Sequence, residues 1–261
     1  MRGAAMKIAV FQLNTAYNQL KRNKERIEAA MASRKASLYI APELFNTGYE
    51  LDSVQKRAQN HDEMILWASS IARKYRCTFI PGSFAEPHGE KIVNTITVFG
   101  PDGEMKAAYS KIHLFTLTGE EKIFEAGKEP VMVEIQGMTF GLAVCYDLRF
   151  PELFRFYRSR GAAGAIVVAN WPKARIEHWR ALGQARSIEN NIFMIGVNRR
   201  GSDAGIDFNG HSFCFSPTGK DLMKGMHKIM ATAVVDAAQA DESRQFMDSF
   251  RDRRLNFEEG L

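Results

Sequence analysis

Hydrophobic and polar positions alternate along the chain with two different periods, and these periods predict strands and helices in turn. Short, continuous apolar runs such as residues 165–169 predict buried strands, whereas apolar residues three or four positions apart, as in 18–33, predict amphipathic helices. The predicted strands are residues 7–13, 37–41, 78–80, 91–99, 104–109, 131–135, 139–144, 165–169, 193–197, 213–215, 220–223 and 231–236. The predicted helices are residues 18–33, 62–75, 175–190 and 240–250, and a further helix that begins at Pro151.

Local signals mark where some of these elements begin and end. In the helix at 62–75, Asp62 is the expected N-cap. The apolar stripe expected for that helix consists of Ile65, Ala68, Ile71 and Ala72. Residues 100–103, with the sequence GPDG, predict a turn that joins two strands into a hairpin.

The apolar strands indicate how the elements are layered. Because the strand at 165–169 is apolar at consecutive positions, both of its faces must be covered. Helices on one face and a second sheet on the other would cover them. No internal repeat, low-complexity tract or linker interrupts the alternation, so we expect residues 1–261 to form a single α/β domain.

The composition is that of an ordinary folded protein. Of 261 residues, 45% are hydrophobic and 25% are charged, which excludes disordered, collagen-like and disulfide-scaffold classes. The three cysteines, Cys77, Cys145 and Cys214, are an odd and scattered set that favours a reducing compartment. The most apolar run, residues 162–169, is too short to cross a bilayer, and no signal-peptide core is present. We therefore expect no membrane association and a cytoplasmic location.

The net charge adds little to this picture. Thirty-five basic and 30 acidic residues give a formal charge of +5. The basic residues are scattered along the chain, whereas a nucleic-acid binder gathers them on one face or in one tail. A solvated surface is the simpler interpretation, and we expect no nucleic-acid partner.

Three residues with chemically useful side chains follow the carboxyl ends of predicted strands. They are Glu43, Lys111 and Cys145, and this edge of an α/β sheet is where ligand sites form. Cys145 lies between a strand and the helix at Pro151, an arrangement that resembles a nucleophile elbow. A structural cysteine would instead lie inside a strand, as Cys214 does.

A cysteine nucleophile needs a partner that stabilises or generates its thiolate. Histidine is the usual partner, so a Cys–His dyad with His113 or His178 remains an alternative. Lys111 or a nearby carboxylate would serve equally well, because a cation lowers a thiol pKa and a glutamate accepts its proton. No two cysteines or histidines have metal-ligand spacing, so we expect no metal.

Three segments resemble the Glu, Lys and Cys signatures of the nitrilase superfamily of carbon–nitrogen hydrolases, in the same chain order. They are residues 41–45 (APELF), 109–115 (YSKIHLF) and 144–152 (VCYDLRFPE). The similarity continues through residues 168–172, 178–179, 185–190 and 197–199, so it covers nearly the whole chain. These later segments look most like the omega-amidase branch, which acts on omega-monoamides of dicarboxylic acids.

This resemblance implies a fold and a set of catalytic roles. The implied fold is a four-layer α-β-β-α sandwich of the α/β class. Cys145 would be the nucleophile, Glu43 the general base, and Lys111, with the backbone N–H of Tyr146, the stabiliser of the tetrahedral intermediate. The reaction would need neither metal nor cofactor.

A second catalytic glutamate is also implied. Glu120 is the candidate because it precedes the sequence FEAG at 124–127. Here the chain departs from some relatives, which have a histidine after that glutamate where this chain has Glu121 and Ile123. Two alternatives follow: Glu121 fills the role, or both are surface residues.

Several further residues are candidates for contacting the substrate or supporting the site. Trp171 and Arg175 are the substrate-binding candidates, with Arg175 placed to bind a distal carboxylate. Its alternative is a surface arginine in the first turn of a helix. Arg149 is expected to form a structural ion pair with Glu152. His113 is expected to be packed or hydrogen-bonded, and the Asn198-Arg199 pair is expected to brace the site or the fold.

Other functions remain as alternatives. N-carbamoyl amino acid hydrolases and nitrilases of the same superfamily differ in pocket shape, which sequence determines poorly. A catalytically idle binding or scaffold protein is a different class, and the intact Glu43, Lys111 and Cys145 argue against it. The resemblance also implies a homodimer, in which residues 245–261 would pack on the partner subunit. The apolar residues of this tail are Phe246, Met247, Phe250, Leu255 and Phe257.

Overall fold

Two packed β-sheets form the centre of the molecule. The computed structural model describes residues 5–225 and 227–254. The first sheet has seven strands in the order β14-β1-β2-β3-β5-β4, with β6 also paired to β5, and the second has the order β13-β10-β9-β8-β7. The strands of the first sheet are β1 (Met6–Phe11), β2 (Leu38–Ile40), β3 (Thr78–Ile80), β4 (Ser83–His88), β5 (Lys91–Phe99), β6 (Met105–Ser110) and β14 (Met230–Val235). Those of the second sheet are β7 (Met132–Ile135), β8 (Met138–Val144), β9 (Gly164–Ala169), β10 (Phe193–Asn198) and β13 (Phe213–Phe215).

The structure describes six α-helices, and two of them pack on the outer face of each sheet. They are α1 (Leu20–Ser33), α2 (Leu51–Arg57), α3 (His61–Tyr75), α4 (Pro151–Ser159), α5 (Ile176–Asn190) and α6 (Ala237–Phe246). A separate two-stranded hairpin consists of β11 (Arg200–Asp203) and β12 (Ile206–Asn209). Among the described residues, no helix combines the length and apolar character needed to cross a bilayer.

Successive side chains along the strands enter different cores, one between the two sheets and one between each sheet and its helices. This arrangement confirms the four-layer α-β-β-α sandwich. In β1, Ile8 and Val10 enter the core between the sheets, while Ala9 and Phe11 pack against α1 and α3. In the second sheet, Val168 enters the core between the sheets and its neighbours in β9 pack against α4 and α5. The continuous apolar runs therefore arise because both strand faces are buried.

Most of the predicted elements are present, but some local expectations are wrong. The helix predicted from Asp62 begins at His61 with Asn60 as N-cap, and Asp62 lies in its exposed first turn. Met64, not Ile65, completes the fully buried stripe of that helix. The predicted strand at 220–223 is reduced to a single bridge between Asp221 and Phe215. The last helix ends at Phe246 instead of residue 250.

The elements that sequence patterning missed are short or polar. Strand β4 lies at an edge of the first sheet and contains Pro87, which weakens its strand signal. The hairpin strands β11 and β12 pair only with each other and contain few apolar residues. Helix α2 has only seven residues, too few to establish a period.

One close backbone contact positions the loop that carries Glu43. Gly82 has a φ of +88°, and a Cβ at this position would lie 1.8 Å from the carbonyl oxygen of Pro42. Any larger residue would therefore push the segment Pro42–Glu43 out of place. Gly89 has a comparable φ of +60°, but no atom lies within 4 Å of the corresponding Cβ.

These two glycines make a matched pair for a stability test. We expect Gly82→Ala to lower the free energy of unfolding by about 3 kcal/mol, because overpacking adds to the strain of a left-handed alanine. Gly89→Ala carries only the strain and should lower it by about 1 kcal/mol. Urea unfolding of both variants measures the difference, and equal losses would contradict the steric role of Gly82.

Candidate active site

Four of the residues singled out from the sequence meet at the carboxyl edges of the two sheets. Lys111 directly follows β6, Cys145 directly follows β8, and Glu43 lies three residues beyond β2. Lys111 Nζ is 2.8 Å from Glu120 Oε2 and 3.5 Å from Glu43 Oε1, and all three side chains are buried. Since β6 and β8 belong to different sheets, the cluster spans the boundary between the two sheets.

Glu120 forms more hydrogen bonds than the other residues of this cluster. Its Oε1 and Oε2 accept bonds of 2.9 and 2.8 Å from Lys111 Nζ. Tyr49 donates its phenol O–H to Oε1 at 2.9 Å, and the backbone N–H of Phe115 donates to Oε2 at 2.8 Å. Glu121, the alternative from the sequence, is exposed. Of the two glutamates, Glu120 is therefore the one that lies in the cluster.

Two asparagines orient the Glu43 carboxylate. Asn94 Nδ2 donates to Oε1 at 2.8 Å, and the backbone N–H of Asn170 donates to Oε2 at 2.6 Å. Burial raises the pKa of Glu43 above its usual range, and the charge of Lys111 offsets part of that rise. The result is a fixed carboxylate that accepts a proton more readily than an exposed glutamate does.

The pKa of Lys111 reflects the same balance with the opposite outcome. Burial alone would lower it, but the carboxylates of Glu120 and Glu43 outweigh burial and hold the pKa of Lys111 well above its usual range. Lys111 therefore remains a cation at neutral pH although its side chain is buried.

Cys145 lies on a strained turn of the expected kind. Its φ is +46°, a left-handed value that is uncommon for a residue with a Cβ, and a short 3-10 turn (Cys145–Arg149) follows it. Burial and the nearby charge of Glu43 raise the pKa of the Cys145 thiol well above its usual range, although Lys111 opposes them. The resting sulfur is therefore a thiol, and its ionisation requires a base.

Asp147 holds this turn and the Lys111 segment together. Its Oδ2 accepts bonds of 2.8 Å from the Val144 N–H and from the Tyr109 hydroxyl. Its Oδ1 accepts the backbone N–H of His113 at 2.9 Å and contacts the Nδ1 atom of the same residue at 2.8 Å. Tyr109 and His113 flank Lys111 at two residues on either side, so one buried carboxylate aligns the cysteine and the lysine.

The histidines considered as partners for Cys145 have other contacts. His113 bonds to Asp147 and stacks on Phe150 at a centroid distance of 3.7 Å, as expected for a packed histidine. His178 contacts Arg149 at 3.4 Å. Neither ring is hydrogen-bonded to Cys145 in the part of the chain that the structure describes.

A pocket of about 470 Å³, including its open mouth, leads to Cys145 and Glu120. Its wall contains five aromatic residues and two arginines. The residues that line it are Tyr49, Phe115, Thr118, Glu120, Cys145, Tyr146, Arg149, Asn170, Trp171, Pro172, Arg175, Ile206 and Phe208. Both substrate-binding candidates, Trp171 and Arg175, are therefore at the pocket.

Asn198 fixes the position of Trp171. Its Oδ1 accepts the Trp171 N–H at 2.8 Å, and its Nδ2 donates to the Trp171 carbonyl at 3.0 Å. The indole N–H of Trp171 in turn donates to the carbonyl of Arg175 at 2.8 Å. The bracing role expected for Asn198 is therefore present in its contacts.

Both pocket arginines rest on aromatic rings. The guanidinium carbon of Arg175 is 5.4 Å from the centroid of Phe115, and that of Arg149 is 4.9 Å from the centroid of Trp171. The expected ion pair between Arg149 and Glu152 is wrong, because the arginine turns toward the pocket. Among the described residues, neither guanidinium forms an ion pair with a carboxylate.

Several residues of the site were not predicted from the sequence. Asn94 is a polar residue at a buried strand position, and Asn170 follows a buried strand directly, so both carried a detectable signal. Tyr49 comes from an irregular loop and the hairpin residues Ile206 and Phe208 from a short, polar segment, where no pattern marked them. In residues 5–225 and 227–254, no group of three or more His, Cys, Asp or Glu side chains is arranged to hold a metal ion.

Comparisons with known proteins agree with this geometry. The sequence model of one family, described as carbon–nitrogen hydrolase, matches residues 7–245. A 2-oxoglutaramate amidase of Paenarthrobacter nicotinovorans is 37% identical over 234 residues, or 85% of this chain and 80% of that protein. A 2-oxoglutaramate amidase of Bacillus subtilis is 31% identical over 251 residues, or 95% of this chain and 97% of that protein.

A solved structure extends the similarity to three dimensions. It is a carbon–nitrogen hydrolase superfamily protein of Xanthomonas campestris with an arsenic adduct in its active site. It superposes with a TM-score of 0.89 at 27% identity, covering 97% of this chain and 98% of that one. The family match at residues 7–245 includes every element that carries Glu43, Lys111, Glu120 and Cys145.

Proposed function

The chain belongs to the carbon–nitrogen hydrolase family, and from that premise we propose that it hydrolyses an omega-amide of a dicarboxylic acid to a carboxylate and ammonia. The observation that carries the proposal is the position of Lys111 between Glu43 and Glu120, beside a cysteine on a left-handed turn. The names of two relatives, both 2-oxoglutaramate amidases, support the choice of an omega-amide such as alpha-ketoglutaramate.

In the first half of the proposed reaction, Cys145 attacks the amide carbon. Glu43 accepts the thiol proton as the S–C bond forms, and this step needs a base because the resting sulfur is protonated. Lys111 and the backbone N–H of Tyr146 stabilise the negative charge that develops on the amide oxygen. The C–N bond then breaks, the proton held by Glu43 passes to the nitrogen, and ammonia leaves a thioester on Cys145.

In the second half, water hydrolyses the thioester. Glu43 removes a proton from the water as its oxygen attacks the carbonyl carbon, and the proton returns to sulfur when the C–S bond breaks. Glu120 keeps Lys111 in place through both steps, since it binds the ammonium with both carboxylate oxygens. In this mechanism Glu43 acts as a base twice, and its raised pKa suits that task.

The pocket favours a substrate with a negative charge at the end distant from the amide. Arg175 lines the pocket, and its guanidinium has no carboxylate partner among the described residues. A carboxylate of the substrate would provide one through paired N–H donors. We propose that Trp171 forms the adjacent wall, in the orientation that Asn198 imposes.

A screen of ammonia release tests both the chemistry and the substrate class. We expect turnover of alpha-ketoglutaramate and succinamate, with no turnover of nitriles or N-carbamoyl amino acids. Cys145→Ala should abolish the activity, whereas Cys77→Ala, at a buried cysteine outside the site, should retain it.

Arg175→Ala should raise KM for the anionic amides about 10- to 100-fold and leave KM for a neutral amide unaffected, because one charged hydrogen-bonding partner is lost.

Each other outcome of that screen points to a different conclusion. Turnover restricted to carbamoyl compounds or nitriles would overturn the substrate class but keep the family chemistry. A Cys145→Ala variant as active as the parent would overturn the thioester mechanism. A wild-type protein that is folded but inactive on every amide would favour the idle scaffold.

The pH dependence of kcat/KM tests the role of Glu43. The base must be ionised to accept a proton, and its pKa is raised, so activity should fall as the pH drops through a value above the usual glutamate pKa of about 4.3. Glu43→Gln should abolish turnover. Glu121→Gln, at the exposed neighbour of Glu120, should leave the acid limb unchanged. An acid limb at or below the ordinary glutamate value would contradict the assignment.

We also propose that the protein forms a homodimer. Phe246 is 91% exposed and Met247 is 59% exposed at the end of α6, and burial in a partner would remove this apolar surface from water. Leu255 and Phe257 of the same tail lie outside the described residues. Sedimentation should give about twice the chain mass of 29.4 kDa, and a profile with only the 29.4 kDa species would contradict the dimer.

A reducing compartment, the cytoplasm, suits the proposed chemistry. Cys77, Cys145 and Cys214 are all free thiols. A cysteine nucleophile loses its function when it is oxidised or paired, so the proposed mechanism needs surroundings in which thiols persist.

A further inference from the structure

The β11–β12 hairpin (residues 200–209) contacts the candidate site without belonging to either large sheet. Its strands pair only with each other, and Ala204 and Gly205 form its turn with positive φ values of 49° and 76°. Ile206 and Phe208 of the hairpin line the pocket. The hairpin therefore needs an anchor other than sheet hydrogen bonds.

Asp203 provides one such anchor, in addition to the 2.9 Å hydrogen bond that the Arg200 N–H donates to the Leu13 carbonyl. Its Oδ2 accepts the backbone N–H of Tyr49 at 2.9 Å and Arg199 Nη1 at 3.1 Å. Arg199 is fully buried and donates its other amino group to Asn14 Oδ1 at 2.7 Å. Asp203 thus connects a rigid, buried cation to the loop that carries Tyr49.

The fit between Asp203 and this loop is tight. Gly48 precedes Tyr49 and has a φ of +72°, and a Cβ on it would lie 2.8 Å from Asp203 Oδ2. Only glycine leaves room for the carboxylate to reach the Tyr49 N–H. The backbone at Gly48 and Tyr49 is therefore held between Asp203 and the Thr15 carbonyl, which would lie 2.9 Å from the same Cβ.

Tyr49 extends the connection to the catalytic cluster. Its hydroxyl donates to Glu120 Oε1 at 2.9 Å and lies 3.0 Å from Thr118 Oγ1. Burial and the charge of Glu120 raise the pKa of Tyr49 well above its usual range, so the hydroxyl keeps the proton that it donates. Glu120 in turn holds Lys111 with both oxygens.

We propose that Asp203 and Tyr49 are positioning residues for the reaction, and that they act in series by holding Glu120, and through it Lys111, in catalytic register. This inference rests on the proposed function for its kinetic consequence, but the contacts exist independently of the substrate. Asp203 does not line the pocket, so an effect of Asp203 on turnover must pass through another residue.

A double-mutant cycle tests whether the two residues act in series. We expect Asp203→Ala and Tyr49→Phe each to lower kcat about tenfold, the loss typical of one hydrogen bond to a charged group. If Asp203 acts through Tyr49, the kcat of the double variant should be no lower than that of the less active single variant. Asp207→Ala, at an exposed aspartate of the same hairpin, is the matched control and should leave kcat unchanged.

A second readout keeps the test independent of the substrate. The charge of Lys111 favours the Cys145 thiolate, so displacing Lys111 should slow the alkylation of Cys145 by iodoacetamide. We expect the alkylation rate to fall about threefold in each variant. The Tm of Asp203→Ala will show whether this variant folds, because it removes the carboxylate partner of Arg199. Tyr49→Phe leaves that ion pair intact and provides the measurement if Asp203→Ala is poorly folded.

The outcomes separate this inference from the proposed function. Additive losses in the double variant, or unchanged alkylation and kcat in Tyr49→Phe, would overturn the positioning role. A wild type that releases no ammonia from any amide would overturn the proposed function. The alkylation rates of the single and double variants would still decide the role of Asp203 and Tyr49.

Discussion

A single buried ammonium group, that of Lys111, lies between two buried carboxylates, and the site is organised around this contact. Removing one cation and two anions from water costs several kcal/mol for each ion unless other groups replace the lost solvation. The structure supplies those groups as donors: Asn94 and the Asn170 N–H for Glu43, Tyr49 and the Phe115 N–H for Glu120. Four separate segments of the chain therefore contribute hydrogen bonds to the charges at the base of the pocket.

The charged cluster also depends on how the two sheets meet. Cys145 follows a strand of one sheet, whereas Lys111 follows a strand of the other, so neither sheet contains the site by itself. Asp147 joins them through four contacts to backbone and side chains on both sides. The core between the sheets and this carboxylate together bring the reacting atoms into register.

The site residues that could be predicted from the sequence are those marked by the pattern of their neighbours along the chain. Glu43 and Cys145 follow buried strands and Lys111 follows a largely exposed one, so their positions could be inferred from the strand pattern, and the family resemblance assigned their order and expected roles. Tyr49 and Asp203 could not be inferred, because they come from a loop and a hairpin strand 154 positions apart, whose contact exists only in the folded chain. Asp62 failed as a cap because the helix begins one residue earlier, where Asn60 precedes it.

The protonated state of Cys145 has a consequence beyond catalysis. Peroxides and related oxidants react with thiolates far faster than with thiols, and the raised pKa keeps the thiolate fraction of Cys145 low at neutral pH. In the proposed reaction Glu43 takes the thiol proton as the sulfur attacks a bound amide, so catalysis needs no standing population of thiolate. The raised pKa that makes a general base necessary should therefore also slow the oxidation of the nucleophile between turnovers.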